Sequence, residues 1–74
     1  MEWKIQSSAE LGVEIRARRK SLGYTQQELA DFSGCSAKFL TDLENGKPTV
    51  RFDKVLRVVM VLGMDFYLVN RESR

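Results

Sequence analysis

The stretch Tyr24–Val50, YTQQELADFSGCSAKFLTDLENGKPTV, decides the fold. Thr25 with Glu28 three residues on forms a capping box, in which each side chain satisfies the other residue's free backbone N–H. A helix is therefore expected from about Gln26 to Ser33, with Leu29 and Ala30 facing inward and Gly34 stopping it. Ser36 is a good N-cap for a second helix, and Cys35 sits where a hydrophobic staple would touch Leu40. Leu40 and Leu43 form the inner face of that helix, and Asn45-Gly46 ends it. Two short helices around the corner Gly34-Cys35-Ser36 make a helix-turn-helix pattern, and a glycine suits the tight reversal.

Upstream, Ser7 with Glu10 reads as another capping box opening a helix whose buried face carries Leu11, Ile15 and Leu22. Gly23 ends that helix. Downstream, Lys47-Pro48 breaks the chain, Thr49 is an N-cap candidate, and a fourth helix runs to about Leu62. Between Val55 and Leu62, VLRVVMVL, only Arg57 is polar. A helix apolar nearly all round is buried on most sides, and a domain this small cannot surround it, so Val58, Met60 or Val61 needs cover from elsewhere. After Gly63 the period changes, and Met64–Val69, MDFYLV, reads as a strand. A single strand cannot satisfy its own backbone. Its partner is either Trp3–Ile5 or the same strand of a second chain.

The fold expected is mainly α: one domain over residues 1–74, with a helical core over 7–62 and a strand over 64–69 that pairs across a homodimer. The dimer interface would be built from Val58, Met60, Val61, Phe66, Tyr67, Leu68 and Val69. Arg71–Arg74 reads as a free tail.

Composition narrows the chemistry. Seventy-four residues supply a core worth only about 3–5 kcal/mol without a disulfide, a metal or oligomerisation. A single cysteine and no histidine exclude an internal disulfide, offer no metal-ligand cluster and fit a cytoplasmic setting. Cys35 reads as a small core residue. No constellation for catalysis is present, so the chain is not expected to be an enzyme, and no cofactor is implied. No signal peptide is expected in MEWKIQ, and no run of about 18 apolar residues would cross a membrane. Net charge is only +2, but Arg16, Arg18, Arg19 and Lys20 cluster, and Lys38, Lys47 and Arg51 flank the corner.

The framework R…LGYTQQELA…G.S…L..LENGK, within Leu11 to about Leu62, closely resembles the lambda-repressor-like helix-turn-helix domains of the Xre type. The greasy fourth helix followed at once by LGMDFYLVNR looks like the HipB-type antitoxins. That resemblance implies a four-helix fold, an intermolecular sheet of C-terminal strands, a palindromic double-stranded operator and a bacterial, nucleoid-associated setting. It also implies an autoregulated toxin–antitoxin operon with a HipA-like kinase toxin as partner.

The residues of the second helix of the corner divide by direction. Leu40 and Leu43 turn inward, which leaves Ala37, Lys38 and Thr41 to meet base edges. Lys38 can donate to guanine O6 and N7 or pair with phosphate, Ala37 can touch a thymine methyl, and Thr41 offers a hydroxyl. Asp42 could accept from cytosine but is repelled by phosphates. Candidates for the DNA backbone are Gln26, at a helix N-terminus that favours phosphate, together with Ser36, Phe39, Lys47 and Arg51. Ser36 is also a cap, Phe39 equally a half-buried aromatic, and the two cations equally solvated charges. In similar repressors the arginine before LG pairs with the glutamate of LENG, which makes Arg19–Glu44 a structural ion pair here. Three functions follow: a dimeric DNA-binding repressor, with or without a toxin partner; a protein-binding subunit that neutralises a toxin through Trp3, Phe32 and Phe39; or, least supported, an enzyme.

Overall fold

A computed structural model describes residues 2–72. Four helices follow one another: α1 Ser8–Ser21, α2 Gln26–Ser33, α3 Ala37–Glu44 and α4 Phe52–Val61. The corner follows its local chemistry. Thr25 and Glu28 form the full capping box, Gly34 takes a left-handed conformation with φ of 69°, and the Ser36 hydroxyl accepts from the Phe39 N–H at 3.0 Å. A residue with a Cβ adopts that backbone only at a cost, so glycine is the residue the corner requires.

α3 packs on both α1 and α2, and α4 packs on α2. Between them lies one core of Ile15, Leu29, Ala30, Leu40, Leu43, Val55, Val58, Val59 and Leu62. Leu11, Tyr24, Cys35, Phe39, Val50, Val61 and Met64 close its edges.

Several expectations are corrected. Leu22 is exposed; α1 instead buries Gly12, Ile15 and Arg19, because its inner face meets a backbone and a carboxylate as well as aliphatic side chains. Ser7 caps α1 through the Glu10 N–H at 3.1 Å, but the Glu10 carboxylate takes the N–H of Gln6, so the box is displaced by one residue. Thr49 does not cap α4: the cap is Arg51, without a side-chain bond, and the first turn is instead marked by Asp53, held by Arg51 at 2.7 Å.

Val58 is wholly buried in the chain's own core and so drops out of any dimer interface. Val55, Val58, Val59 and Leu62 recur at i, i+3, i+4 and i+7 and make one inward face, so α4 has an inside and an outside. Its outside is mixed: Phe52 and Met60 are exposed beside the charged Asp53 and Arg57, and Val61 is half-buried.

Met64–Val69 has no regular secondary structure, and no strand is formed among the described residues. A strand is defined by a backbone ladder, and no backbone hydrogen bond joins this segment to Trp3–Ile5. Side chains hold it instead. Phe66 stacks edge-on against Phe52 at 5.3 Å, and the Tyr67 hydroxyl donates to Glu2 at 2.6 Å, which raises the phenol's pKa. The expected free tail Arg71–Arg74 lies partly outside the described residues. No helix among those described is long and apolar enough to cross a membrane.

Candidate nucleic-acid interface

The outer face of α3 stands on a polar brace. Arg19 donates from Nε to Glu44 Oε2 at 2.6 Å and from Nη2 to Oε1 at 3.0 Å, a two-pronged pair between buried side chains. Its remaining nitrogen Nη1 donates to the Tyr24 carbonyl at 2.8 Å, which ties the α1–α2 turn to the same point. The Glu44 hydrogen bond raises the Arg19 pKa against the opposing effect of burial. Glu44 Oε1 also accepts from Gln26 Nε2 at 3.0 Å, and Gln26 Oε1 accepts from the Thr41 hydroxyl at 3.0 Å. Four residues from α1, α2 and α3 thus form one continuous chain of hydrogen bonds.

The brace depends on a close approach that the sequence did not disclose. A Cβ on Gly12 would lie 2.5 Å from the carbonyl oxygens of both Leu43 and Glu44. Only glycine lets α1 sit this near the end of α3. Nothing local marks the requirement, since Gly12 lies mid-helix, where glycine is unfavourable.

Of the residues expected to read bases, Lys38 and Thr41 are exposed and Ala37 is half-buried. Lys38 and Thr41 stand on the side of α3 away from Leu40 and Leu43, while Ala37, three residues before Leu40, lies at the border of the inner face. Lys38 reaches Asp42 at 3.1 Å, and Lys47 approaches the same oxygen at 3.6 Å. The hydrogen bond from Lys38, reinforced by the charges of Lys38 and Lys47, holds the Asp42 carboxyl below its ordinary pKa. Exposed pairs of this kind are worth little, so both lysines are free to leave Asp42 for a polyanion.

Gln26 is half-buried at the first turn of α2. It borders an open depression with Arg16, Lys20, Thr25 and Asn45. The Ser36 hydroxyl accepts the Phe39 N–H as its cap and keeps its own proton free to donate. Phe39 packs against the core with Lys54 Nζ 5.7 Å from its ring centre, a position that accounts for it without nucleic acid. Arg51 is paired with Asp53.

Arg18, grouped with its basic neighbours in the sequence, has separate work. Its Nε donates to the Leu62 carbonyl at 2.8 Å and so satisfies the C-terminal end of α4 from α1. Cys35 is half-buried, and burial pushes its thiol pKa up, the opposite of what a reactive thiolate requires.

Four helices, a tight corner between α2 and α3 and a braced outer face on α3 define a helix-turn-helix protein. Residues 10–71 match the family model described as a helix-turn-helix domain, and the chain belongs to that family. It is 41% identical over 63 residues to an uncharacterized HTH-type transcriptional regulator of Sinorhizobium fredii, y4mF, a match over 85% of this chain and 83% of that protein. It is 49% identical over 37 residues to the competence pilus inhibition repressor of Acinetobacter baylyi, over 50% of this chain and 34% of that one. Among solved structures, the protein chain of a HipB–O4 20mer complex superposes with a TM-score of 0.85 at 22% identity, covering 96% of this chain and 100% of that one. A chain of the HipA–HipB–O2–O3 complex superposes equally well. The clp gene regulator ClgR of Corynebacterium glutamicum gives a TM-score of 0.71 at 31% identity, covering 84% of this chain and 66% of that one. The fold is that of a HipB-type helix-turn-helix domain.

Proposed function

We propose that this chain is a sequence-specific DNA-binding transcriptional repressor that acts as a homodimer in the bacterial cytoplasm. In this reading it is the antitoxin of a HipA-like kinase toxin and controls the promoter of their shared operon. It needs no cofactor and performs no catalysis. The observation that carries the reading is the α3 surface: Lys38 and Thr41 are exposed, with Ala37 half-buried beside them, while Arg19, Glu44 and Gln26 fix the helix from behind. Base-reading side chains need that rigidity, because a hydrogen bond to a base edge is lost over small displacements.

In the mechanism, each α3 of a two-fold dimer enters a major groove, with half-sites about 34–36 Å apart. Gln26 and Lys47 hold phosphates, joined by Arg51 once it leaves Asp53, which positions the helix without selecting sequence. Neutralised phosphates make affinity fall steeply with salt. Met60, Phe66, Tyr67, Leu68 and Val69, all exposed in the single chain, supply the dimer contact, with the Met64–Val69 segments pairing across the two-fold axis.

The likeness to the HipB complexes supports the antitoxin reading. The relatives that match by sequence, a transcriptional regulator and a repressor, support the regulatory reading, and the alternative is a small regulator of this kind without a toxin. A second role, holding a toxin by protein contact, is favoured by Trp3 and Phe32, which stay exposed outside the core.

The test is a titration against the chain's own promoter and against random duplex. Lys38→Ala is expected to weaken the preferred site about 10-fold while barely changing random DNA. Equal losses on both would make Lys38 a backbone contact. Sedimentation at micromolar concentration is expected to give a dimer, and a monomer there would overturn the shared-segment arrangement.

A further inference from the structure

Thr41 is a candidate reader whose hydrogen-bonding sense is set by what stands behind it. The sequence of constraints begins at Arg19, whose guanidinium only donates. It engages both oxygens of Glu44, and a carboxylate bound to a guanidinium only accepts. Gln26 must therefore turn its NH2 group toward Glu44 Oε1, 3.0 Å away. That orientation leaves its carbonyl facing Thr41, also at 3.0 Å. A carbonyl cannot donate, so the Thr41 proton goes to it, or to the Ala37 carbonyl at 3.1 Å. Both are acceptors inside the protein. Whichever takes the proton, the outward side of Thr41 Oγ1 presents lone pairs alone.

We propose that Thr41 reads an exocyclic amine in the major groove, the N6 amine of adenine or the N4 amine of cytosine. It would discriminate against the O4 of thymine and the O6 and N7 of guanine, which offer no proton at that edge. The proposal rests on the DNA-binding reading of α3 given above and adds a base preference to it. Lys38, one turn earlier on the same helix, has the opposite sense, since an ammonium only donates. Two residues of α3 thus ask opposite questions of the groove. Asp42, the other acceptor on this face, holds Lys38 and Lys47 on its Oδ2. Turning the Thr41 hydroxyl outward to donate would strip the Gln26 carbonyl of this proton, a loss that thymine or guanine would have to offset.

The test uses the full chain and its preferred promoter duplex. Each adenine of a half-site is replaced in turn by purine without the 6-amine, and each cytosine by the pyrimidinone without the 4-amine. At one position per half-site, amine removal is expected to weaken wild-type binding about 5- to 100-fold. Thr41→Val keeps the shape and removes the oxygen, and this variant is expected to bind the analogue and the normal base at that position equally. Circular dichroism establishes that the variant is folded. Sequence-specific binding in which Thr41→Val couples to a thymine or guanine acceptor, or to no base, overturns the proposal and leaves the repressor reading standing. Absence of sequence-specific binding overturns both.

Discussion

Glu44→Ala is expected to leave most of the chain unfolded at 25 °C. The carboxylate is buried and accepts three hydrogen bonds, two from Arg19 and one from Gln26. Removing it strands a guanidinium whose side chain is only 9% accessible. Breaking one partner of a buried pair costs about 3–5 kcal/mol, as much as the whole net stability expected of a core this size. Urea denaturation read by circular dichroism checks it, with the midpoint falling toward zero. The double variant Arg19→Met with Glu44→Leu is expected to recover much of the loss, because two apolar side chains leave no charge uncompensated. It also loses the Arg19 bond to the Tyr24 carbonyl, so recovery is partial. If Glu44→Ala costs under about 1 kcal/mol, the pair behaves as a surface contact and the brace is not what holds α3.

Gly12→Ala is expected to destabilise, against the intrinsic preference of a helix. Replacing a mid-helix glycine by alanine ordinarily gains about 1 kcal/mol. Here the new methyl would meet two backbone carbonyl oxygens at 2.5 Å, and backbone cannot swing aside as the end of a long side chain does. Overpacking of this kind costs about 1–3 kcal/mol, occasionally more, which outweighs the helix gain. A thermal melt is expected to fall by about 5–15 °C, given about 4–8 °C per kcal/mol in a domain of this length. The relief available is to separate α1 from α3, which lengthens the Arg19–Glu44 contacts, so DNA affinity should fall as well. A melting temperature that rises would mean the two helices part without cost.

These two residues show where the sequence was legible. Thr25, Glu28, Gly34 and Ser36 act through hydrogen bonds and dihedral angles spanning three or four residues, and the bounds of α2 and α3 follow from them directly. The turn of Leu40 and Leu43 toward the core follows from helical spacing, and it places Lys38 and Thr41 outside with Ala37 at the border. Gly12 was invisible because its constraint comes from a carbonyl more than thirty positions away. The same applies to Arg18, whose partner is the Leu62 carbonyl; in the sequence it is one arginine in a basic run. Leu22 misled because apolar periodicity cannot register a face that buries a glycine and an arginine. Val58 misled because eight nearly unbroken apolar residues conceal which side is inward until the neighbours are placed. The Met64–Val69 segment carries the composition of a strand, but composition cannot make the ladder a strand requires.

The exposed apolar residues of α4 and of the segment after it carry a further consequence. Met60 is 74% accessible and Leu68 92%, so the lone chain is an incomplete solution to its own hydrophobic problem. Whatever covers that surface adds to stability through mass action, rising with the logarithm of its concentration over its dissociation constant. In the proposed homodimer, the lifetime of the fold becomes a quantity set by copy number: dilution that separates the two copies is expected to leave each chain, with no bond in its core altered, the more readily unfolded and degraded.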